Sequence, residues 1–280
     1  MIDLHIHTIN SDGTDNIDEL IEKISKSNIR YFSITDHDNI KSYYEIQSYL
    51  NNLQAQEIKY ISGIEFSTNF ENQSMHLLAY NYDNNIDTIE SVLQKIKELR
   101  LNRINLHLEH LKNEHNIILN QNEIDWLYSQ NNPSKPHIAN ILINKGYGNN
   151  VSEVIQKYLS KKYTNQKLDA IELVQKLSNQ GIIIGIAHPL GGVGEPRITP
   201  EQCEYNIKTL KNHGINFIEC FYSLYNEEER TLLQKIAEKY HIKLSGGSDY
   251  HGKNKDVNIG DLGKNYVTNL DDFTVLKIIK

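Results

Sequence analysis

Histidines and acidic residues recur along the chain in short motifs that are suited to metal binding. The first motif is His5-Ile6-His7, and Asp12 follows it in a Ser-Asp-Gly turn. Later motifs contribute further residues of the same kinds, namely His37, Glu65, His76, His137, His188, Asp249 and His251. Imidazole and carboxylate groups together are typical ligands of Zn, Mn or Fe, and the absence of thiolates argues against a structural zinc site of the cysteine type. The set therefore indicates metal-assisted chemistry.

The number of these residues is informative, because buried polar groups are costly unless something binds them. A single buried histidine is more often satisfied by a backbone partner, but this set exceeds the roughly three to five protein ligands of one ion. We therefore expect more than one metal ion. Glu65 could bridge two ions, and a hydroxide shared between ions is a strong nucleophile near neutral pH, which predicts hydrolysis. The other histidines lie in helical or helix-to-strand segments and are expected at the surface; they are His107, His110, His115, His213 and His241.

Alternating patterns place the first of these residues on strands. Apolar and polar residues alternate at the start of the chain, so His5 and His7 share one face with Asp3, which lies deeper and is expected only to support them. A helical segment and the strand pattern YFSITDH follow, and this order indicates a βα barrel or a doubly wound sheet. The stretches KYISGIEFS and MHLLAYNY then predict two strands joined as a hairpin.

The middle of the chain has a different pattern. From about residue 87 the apolar residues recur with a helical period, and up to about residue 165 we find helices and turns but no convincing strand. Strand patterns return in IIIGIAHP, NFIECFY and KLSGGSDYH, with helices between them. This order predicts an α/β fold, a barrel or a doubly wound sheet, with a helical insertion. Most of the candidate ligands fall at the C-terminal ends of strands, where barrel and open-sheet enzymes assemble their sites.

The composition limits the class of protein. The chain has 280 residues, 39% hydrophobic residues and a formal net charge of −7. The acidic balance argues against a protein that binds long nucleic acid, although small anionic substrates remain open. No signal-peptide pattern stands at the start, and no stretch approaches the roughly 18 apolar residues that span a bilayer, which predicts a cytoplasmic protein with no membrane partner. Cys203 and Cys220 are expected to be ordinary thiols.

Eight motifs in a fixed order resemble the polymerase and histidinol phosphatase (PHP) family of phosphoesterases; they are HIH, SDGT, TDHD, GIEFS, MH, KPHIA, AHP and GSDYH. The resemblance covers the whole chain. It implies a distorted seven-stranded βα barrel, of class α/β, with metal ions at the C-terminal ends of its strands. Residues 1–98 and 167–280 would form the barrel, and residues 99–166 would form the helical insertion.

The resemblance also implies two or three divalent ions (Mn, Zn or Fe) and a ligand set for each. The implied sets are His5, His7, Glu65 and Asp249 for the first ion; Glu65, His76 and His137 for the second; and Asp12, His37 and His251 for the third. His188 is left over. It could protonate the leaving oxygen as a general acid, or it could hold the substrate by a hydrogen bond.

Within the family, the chain is most similar to the small stand-alone nucleotide phosphatases, because SDGT is followed by a helical insertion entered through Arg100-x-x-Arg103-Ile104. This implies a phosphoric monoester hydrolase that acts on a nucleoside 3′,5′-bisphosphate or 5′-monophosphate through a metal-bound hydroxide. One alternative is a 5′–3′ exoribonuclease on short RNA, and another is histidinol phosphate phosphatase. A non-catalytic metal-binding module is disfavoured, because every implied ligand is present.

Three cationic residues are candidates for binding the substrate phosphate, although a solvated surface charge remains an alternative for each; they are Arg197, Arg103 and Lys135. Arg197 lies in the loop after AHP, where Gly191, Gly192 and Gly194 would let it close over the site. The other two belong to the insertion, and Lys135 stands where the nucleotide phosphatases usually have arginine. The expected partner is thus a small phosphorylated substrate.

Overall fold

The computed structural model of the chain describes residues 1–130, 133–193 and 195–279. Within these ranges the strands are β1 (Ile2–Ile6), β2 (Tyr31–Ile34), β3 (Lys59–Tyr60), β4 (Gly63–Phe70), β5 (Gln73–Tyr80), β6 (Leu168–Asp169), β7 (Ile183–Ile186), β8 (Phe217–Tyr222) and β9 (Lys243–Gly247). The α-helices are α1 (Ile17–Ser25), α2 (Lys41–Glu45), α3 (Leu50–Ala55), α4 (Ile86–His115), α5 (Gln121–Ser129), α6 (Lys135–Asn144), α7 (Val151–Tyr158), α8 (Ala170–Ser178), α9 (Pro200–His213) and α10 (Glu227–Tyr240). None of the described helices is both long and apolar enough to span a membrane.

Seven of the strands form a closed circuit. β1 pairs with β2 in parallel, and β4, β5, β7, β8 and β9 follow one another in the second sheet. The two sheets meet at both ends, because Tyr250 after β9 pairs with Ile6 of β1, and His37 after β2 pairs with Glu65 of β4. β7, β8 and β9 are parallel, whereas β5 is antiparallel to β7. This circuit confirms the predicted distorted seven-stranded barrel of class α/β.

The stretch KYISGIEFS forms two strands, so the prediction of a single strand was wrong. Its first part, β3, pairs with β2, whereas its second part, β4, lies beside β5 in the other sheet. The break between them lets the chain cross from one sheet to the other. The predicted hairpin is confirmed: β4 and β5 are joined by Glu71 and Asn72, which both have positive φ (48° and 64°). Two such residues give a two-residue turn that matches the twist of the strands.

The apolar half of the first motif holds β1 in the core. Ile6 packs with Leu20 of α1 and Phe32 of β2, and all three side chains are buried. Each such side chain stabilises the fold by about 1.5–3 kcal/mol. Because successive side chains of a strand point to opposite faces, His5 and His7 project away from this cluster. The alternation predicted from the sequence thus aims both imidazoles at the other side of the strand.

The chain divides into two compact units. The first comprises residues 1–70, 74–89 and 169–280, and the second comprises residues 71–73 and 90–168. The second unit is largely helical and has an apolar core of its own, which includes Ile104, Leu111, Leu127, Ile138, Leu142 and Leu159. The domain boundaries predicted from the sequence, at residues 98/99 and 166/167, stay a prediction.

His107 is buried in the second unit, so its predicted surface position was wrong. Only 1% of the residue is exposed, and its ring packs edge-on against Tyr163. Within the described residues neither of its ring nitrogens has a hydrogen-bond partner. Burial, together with the charges of Lys135 and Arg103, lowers the pKa of His107 to about 4. The sequence pattern of a helix does not distinguish a histidine on its packed face from one at its solvent-facing edge.

The two cysteines are buried free thiols. Burial raises the pKa of Cys203 to about 12 and also raises the pKa of Cys220. A thiol that stays protonated is a poor nucleophile and a poor metal ligand. The prediction of ordinary thiols is confirmed.

Candidate metal centre

The C-terminal end of β1 and the first half of β4 bring the first group of donor atoms together. His5 and His7 are fully buried, and their Nε2 atoms lie 3.1 Å apart. Both atoms face Glu65 Oε2, at 3.2 and 3.1 Å. Asp249 Oδ1, from the turn after β9, lies 3.6 Å from His5 Nε2 and 3.4 Å from His7 Nε2. Two imidazole nitrogens and two carboxylate oxygens therefore converge, and they belong to the four residues predicted for the first ion.

Glu65 lies at the centre of the cluster. Besides His5 and His7, its Oε2 atom faces His37 Nδ1 at 3.1 Å. Its Oε1 atom faces His188 Nε2 at 3.1 Å and His76 Nδ1 at 3.3 Å. The carboxylate is 1% exposed, so five imidazole rings replace water around it. Glu65 is thus shared by two groups of imidazoles, and its role as a bridge between ions stays a prediction.

A further group forms around Asp12 in the turn after β1. Asp12 Oδ1 lies 3.1 Å from His251 Nε2 and 3.6 Å from His7 Nδ1, and Oδ2 lies 3.8 Å from His37 Nε2. Gly13 makes this turn tight, because a Cβ atom there would lie 2.6 Å from the carbonyl oxygen of His7. Asp12, His37 and His251, the set predicted for the third ion, are thus neighbours in the structure.

Glu195 joins the cluster although sequence reasoning missed it. Its Oε2 atom lies 2.9 Å from His188 Nδ1, and its Oε1 atom lies 3.2 Å from His76 Nδ1. His188, predicted as a general acid or a substrate-binding group, therefore has a carboxylate at each ring nitrogen, Glu195 on one side and Glu65 on the other. Together His76, His188 and Glu195 form a group with the spacing of metal ligands. No periodicity or motif in the sequence marks Glu195.

Two further buried carboxylates, Glu219 and Asp3, accept hydrogen bonds from residues of the cluster or from their neighbours. Glu219 of β8 is fully buried, accepts a hydrogen bond from His5 Nδ1 at 2.9 Å and accepts another from the backbone N–H of His188 at 2.7 Å. Asp3 accepts hydrogen bonds from the backbone N–H and the hydroxyl of Ser248, next to Asp249. Burial raises the pKa of Asp3 to about 6. Asp3 thus has the supporting position expected of it, whereas Glu219 was not predicted, although an acid within an apolar strand pattern is a signal of a buried partner.

The second oxygen of Asp249 is also held. Asp249 Oδ2 accepts hydrogen bonds from the Tyr222 hydroxyl at 2.8 Å and from Lys255 Nζ at 2.6 Å. The backbone of Asp249 has a positive φ of 58°, and its N–H donates to the carbonyl oxygen of His5. Left-handed backbone is tolerated by aspartate better than by most residues. This turn presents the Asp249 carboxylate to His5 and His7.

Arg197 lies in a different setting from the one that the sequence suggested. Its guanidinium forms an ion pair with Glu229, donates to the carbonyl oxygen of Gly191 and lies over the ring of Tyr225 at 5.0 Å. Its role in substrate binding stays a prediction. Gly194, one of the three glycines of this loop, lies outside the described residues.

The remaining predicted residues belong to the second unit. His137 is hydrogen-bonded to the Ser134 hydroxyl through Nδ1, at 2.8 Å. Lys135 donates to the carbonyl oxygen of Lys161, and Arg103 donates to that of Gln166. The assignment of His137 as a metal ligand, and of Arg103 and Lys135 to the substrate, stay predictions.

Several donor atoms of the cluster are buried without a hydrogen-bond partner among the described residues; they are His37 Nδ1, Glu65 Oε2, Glu195 Oε1 and His251 Nε2. Each of these atoms lies 3.1 or 3.2 Å from another donor or acceptor of the cluster, but without hydrogen-bond geometry. Buried polar atoms are rarely left in this state in proteins. Converging lone pairs of nitrogen and oxygen fit divalent ions such as Zn, Mn or Fe. The residues present therefore fit the metal ions that the sequence predicts.

The charges of the cluster change the pKa values of its members. Burial alone would lower the pKa of His7 and of His188, but the facing carboxylates outweigh it and raise these values to about 9 and about 10. His188 and His76 in turn lower the pKa of Glu195 to about 2, against the effect of burial. His37 differs, because burial dominates and lowers its pKa to about 3. In the ion-free chain, protonated imidazoles thus neutralise the buried carboxylates.

We expect the chelator-treated protein to be most stable near pH 6.5. The stability from His7 and His188 is fully present below their unfolded pKa of 6.5 and is lost as the pH rises through about 9 and about 10. His37 acts in the opposite sense. Below pH 6.5 the unfolded chain binds a proton at His37, whereas the folded chain does not bind it until about pH 3, so the folded state loses stability as the pH falls. Urea midpoints measured from pH 4 to pH 10 test this. Midpoints that stay level or rise between pH 7 and pH 9 would contradict it.

The cluster opens into a cavity of about 360 Å³ within the first unit. Metal-ligand candidates make up much of its lining, and Ser74, Val193, Pro196 and Lys255 complete the described part of its wall. A volume of this size lies at the low end of small-molecule sites, which span roughly 300–1,000 Å³. The cavity therefore has room for a phosphate group with part of a small ester.

Known proteins share both the sequence pattern and the fold. A protein-family model described as the PHP domain matches residues 3–240. The chain is 26% identical to a 5′-3′ exoribonuclease of Haemophilus influenzae, over 91% of this chain and 94% of that protein. It is 24% identical to a 3′,5′-nucleoside bisphosphate phosphatase of Chromobacterium violaceum, over 89% of this chain and 87% of that protein. A solved structure from Bifidobacterium adolescentis has the same fold, with a TM-score of 0.70 and 24% identity. The match covers 99% of this chain and 94% of that one, which is designated by inference as a metal-dependent phosphoesterase.

Proposed function

The chain belongs to the PHP domain family, and on that basis we propose that it is a metal-dependent phosphoesterase that hydrolyses a phosphate monoester of a small nucleotide. The observation that carries the proposal is Glu65, a buried carboxylate whose two oxygens face five imidazole rings. Mixed imidazole and carboxylate groups in this number suit two or more divalent ions. When bound, such ions would activate water near neutral pH and draw charge from the phosphoryl oxygens.

The geometry favours one change to the predicted ligand sets: His188 and Glu195 take the place of His137 in the second set. The set around His5, His7, Glu65 and Asp249 and the set around Asp12, His37 and His251 are kept as predicted. For the remaining ion we propose His76 and His188 with Glu65 and Glu195, because these four side chains converge within the first unit. In this arrangement His188 holds an ion, and its two ring nitrogens face carboxylates rather than a leaving group.

Hydrogen bonds to neighbouring groups orient the imidazoles of His5 and His251 for metal binding. The His5 Nδ1–H group donates to Glu219, and the His251 Nδ1–H group donates to the carbonyl oxygen of Asp249 at 2.8 Å. Each bond fixes the tautomer, so the Nε2 lone pair of each ring points into the cluster. Because these partners are buried carboxylate or backbone groups, the rings are oriented before any ligand arrives.

A second candidate function is 5′–3′ exoribonuclease activity on short RNA. It is favoured by the similarity to the Haemophilus influenzae enzyme, which extends over nearly the full length of both chains. Helix α4 also carries several basic residues that could follow a strand of RNA; they are Lys95, Lys97, Arg100 and Arg103. Both functions cleave a phosphate ester next to a nucleoside, so they make the same demand on the metal centre.

A substrate screen of the manganese-loaded protein tests the proposal. We expect phosphate release from nucleoside 3′,5′-bisphosphates or 5′-monophosphates, with kcat/KM at least about tenfold above that for histidinol phosphate, a difference of one well-placed contact or more. Nucleoside cyclic phosphates and short 5′-phosphorylated RNA complete the panel. A preference for histidinol phosphate would contradict the nucleotide proposal. Release of mononucleotides from RNA with a steep salt dependence would establish the second candidate instead.

A further inference from the structure

Lys255 is a cationic residue of the cavity to which the predicted site gave no role. Its side chain is 15% exposed, and its Nζ atom lies 2.6 Å from Asp249 Oδ2. Among the described residues that line the cavity, it is the one lysine or arginine. The acidic residues of the same wall are Asp12, Glu65, Glu195 and Asp249. Within the described part of this wall, Lys255 is therefore the one lysine or arginine that a phosphate dianion in the cavity would meet.

The ammonium group of Lys255 has donors to spare. A lysine carries three N–H donors and no acceptor. Within the described part of the chain, Asp249 Oδ2 is its one hydrogen-bond partner. Up to two donors thus remain for a ligand beside the metal centre. The bond to Asp249 need not break, because the same nitrogen can donate to both oxygens at once.

The segment before Lys255 is anchored to the loop that carries Asp12. The Asn254 side chain donates to the carbonyl oxygen of Asp12 at 2.7 Å, and the Lys253 N–H donates to the Thr14 hydroxyl at 2.8 Å. Gly252 has a positive φ of 64°, and a Cβ atom there would lie 2.0 Å from that hydroxyl. Glycine therefore permits a close approach of the two loops. Lys255 extends from a short 3₁₀ turn that is held in place, rather than from a free surface loop.

Among the three cations predicted from the sequence, Arg197 is the one in the first unit, and it is already engaged by other groups. Arg197 is paired with Glu229, bonded to the carbonyl oxygen of Gly191 and stacked on Tyr225, and its side chain is 44% exposed. Using it for a substrate would break these contacts, whereas Lys255 is in place without rearrangement. Preorganised groups bind at lower cost than groups that must first be released.

We propose that Lys255 binds the phosphoryl group of the substrate. The inference rests on the proposed phosphoesterase function and adds to it a specific residue for phosphate recognition. The Lys255 ammonium donates to a non-bridging phosphoryl oxygen while it keeps its bond to Asp249 Oδ2. A compact ammonium suits this position, because it offers charge and donors without the planar geometry that arginine requires.

Binding of inorganic phosphate to the manganese-loaded protein tests the assignment directly. We expect Lys255→Met to weaken phosphate binding by about 10- to 100-fold, the range of a charge-assisted hydrogen bond. KM for the preferred ester should rise by a similar factor, with a smaller change in kcat. Lys255→Arg keeps the charge but not the compact ammonium, so it should recover only part of the affinity. Lys253→Met is the matched control, because it removes the same charge from an exposed side chain two residues earlier and should bind phosphate like the wild type.

The metal content of each variant separates recognition from a purely structural role. We expect Lys255→Met to hold as many ions per chain as the wild type, with an unchanged circular dichroism spectrum. A parallel loss of ions and phosphate binding would show that Lys255 only positions Asp249 and would overturn the inference. Unchanged phosphate affinity would also overturn it, even if the wild type hydrolyses nucleotides. Lys255-dependent phosphate binding in a protein that hydrolyses no ester would support it while refuting the proposed function.

Discussion

Replacing Glu65 by glutamine is expected to abolish metal binding and hydrolysis together. The glutamine keeps the size of the side chain but turns one oxygen into an NH₂ group, which donates and cannot coordinate an ion. Both oxygens of Glu65 face imidazoles, His5, His7 and His37 on one side and His76 and His188 on the other. Removing a residue that merely orients a ligand already lowers metal affinity by about 10- to 100-fold. We therefore expect a loss of more than about 100-fold in metal affinity and in kcat/KM.

Metal content by mass spectrometry and initial rates of phosphate release measure this prediction. Glu238→Gln is the matched control, because Glu238 is an exposed residue of α10 in the same unit. It makes the same chemical change outside the cluster and should leave both quantities unchanged. Full metal occupancy in the Glu65→Gln protein would show that the cluster does not bind ions through Glu65.

The second large effect is expected at Glu219, which is predicted to touch no ion. Its Oε1 atom accepts from His5 Nδ1 and its Oε2 atom accepts from the N–H of His188. In Glu219→Gln the remaining side-chain oxygen can still accept the hydrogen bond from the His188 N–H group. The new NH₂ group then faces His5 Nδ1. His5 must present a lone pair at Nδ1, so its proton moves to Nε2, the atom that faces Glu65. We expect metal affinity and kcat/KM to fall by about 10- to 100-fold, as for other residues that orient metal ligands.

Nuclear magnetic resonance of the His5 ring nitrogens distinguishes this tautomer effect from a general loss of structure. At a pH high enough for the His5 ring to be neutral, the ion-free wild type should show Nδ1 protonated and Glu219→Gln should show Nε2 protonated, at unchanged secondary structure. Glu238→Gln again serves as the control. A Glu219→Gln protein with normal metal affinity would show that the orientation of His5 does not limit ion binding.

Most residues of the candidate site could be named from the sequence, because they stand in local patterns. The pair His5 and His7 alternates on a strand, and Glu65, Asp249 and His251 lie on or just after strands whose apolar residues are easy to recognise. In a barrel the C-terminal ends of parallel strands meet, so a strand prediction is also a prediction of proximity. The closure of the circuit through Tyr250 and His37 follows from the same strands.

The parts that could not be predicted depend on contacts between distant segments. Glu195 lies in a glycine-rich loop without periodicity, and Lys255 follows a short turn whose position depends on Thr14 and Asp12. Such loops have no sequence pattern that reports where their side chains go. Glu219 is different, since a carboxylate within the apolar strand NFIECFY demands a buried partner, and that signal was present in the sequence.

The burial of His107 and the division of KYISGIEFS have similar explanations. His107 lies on an amphipathic helix whose packed face is defined only by the other helices of its unit. The strand β3 ends after two residues because its partner is β2, whereas β4 lies beside β5. Neither outcome can be read from the apolar period, which records that a residue is buried but not against which element.

The central claim is that the cluster around Glu65 binds the ions on which phosphoester hydrolysis depends. The most direct measurement is phosphate release from a nucleoside 3′,5′-bisphosphate by exhaustively chelated protein that is titrated with Mn²⁺, with bound ions counted at each step. We predict no activity after chelation and a return of activity that follows ion binding and saturates at two or three ions per chain. Hydrolysis that survives complete chelation, or activity that does not rise as ions bind, would contradict the claim.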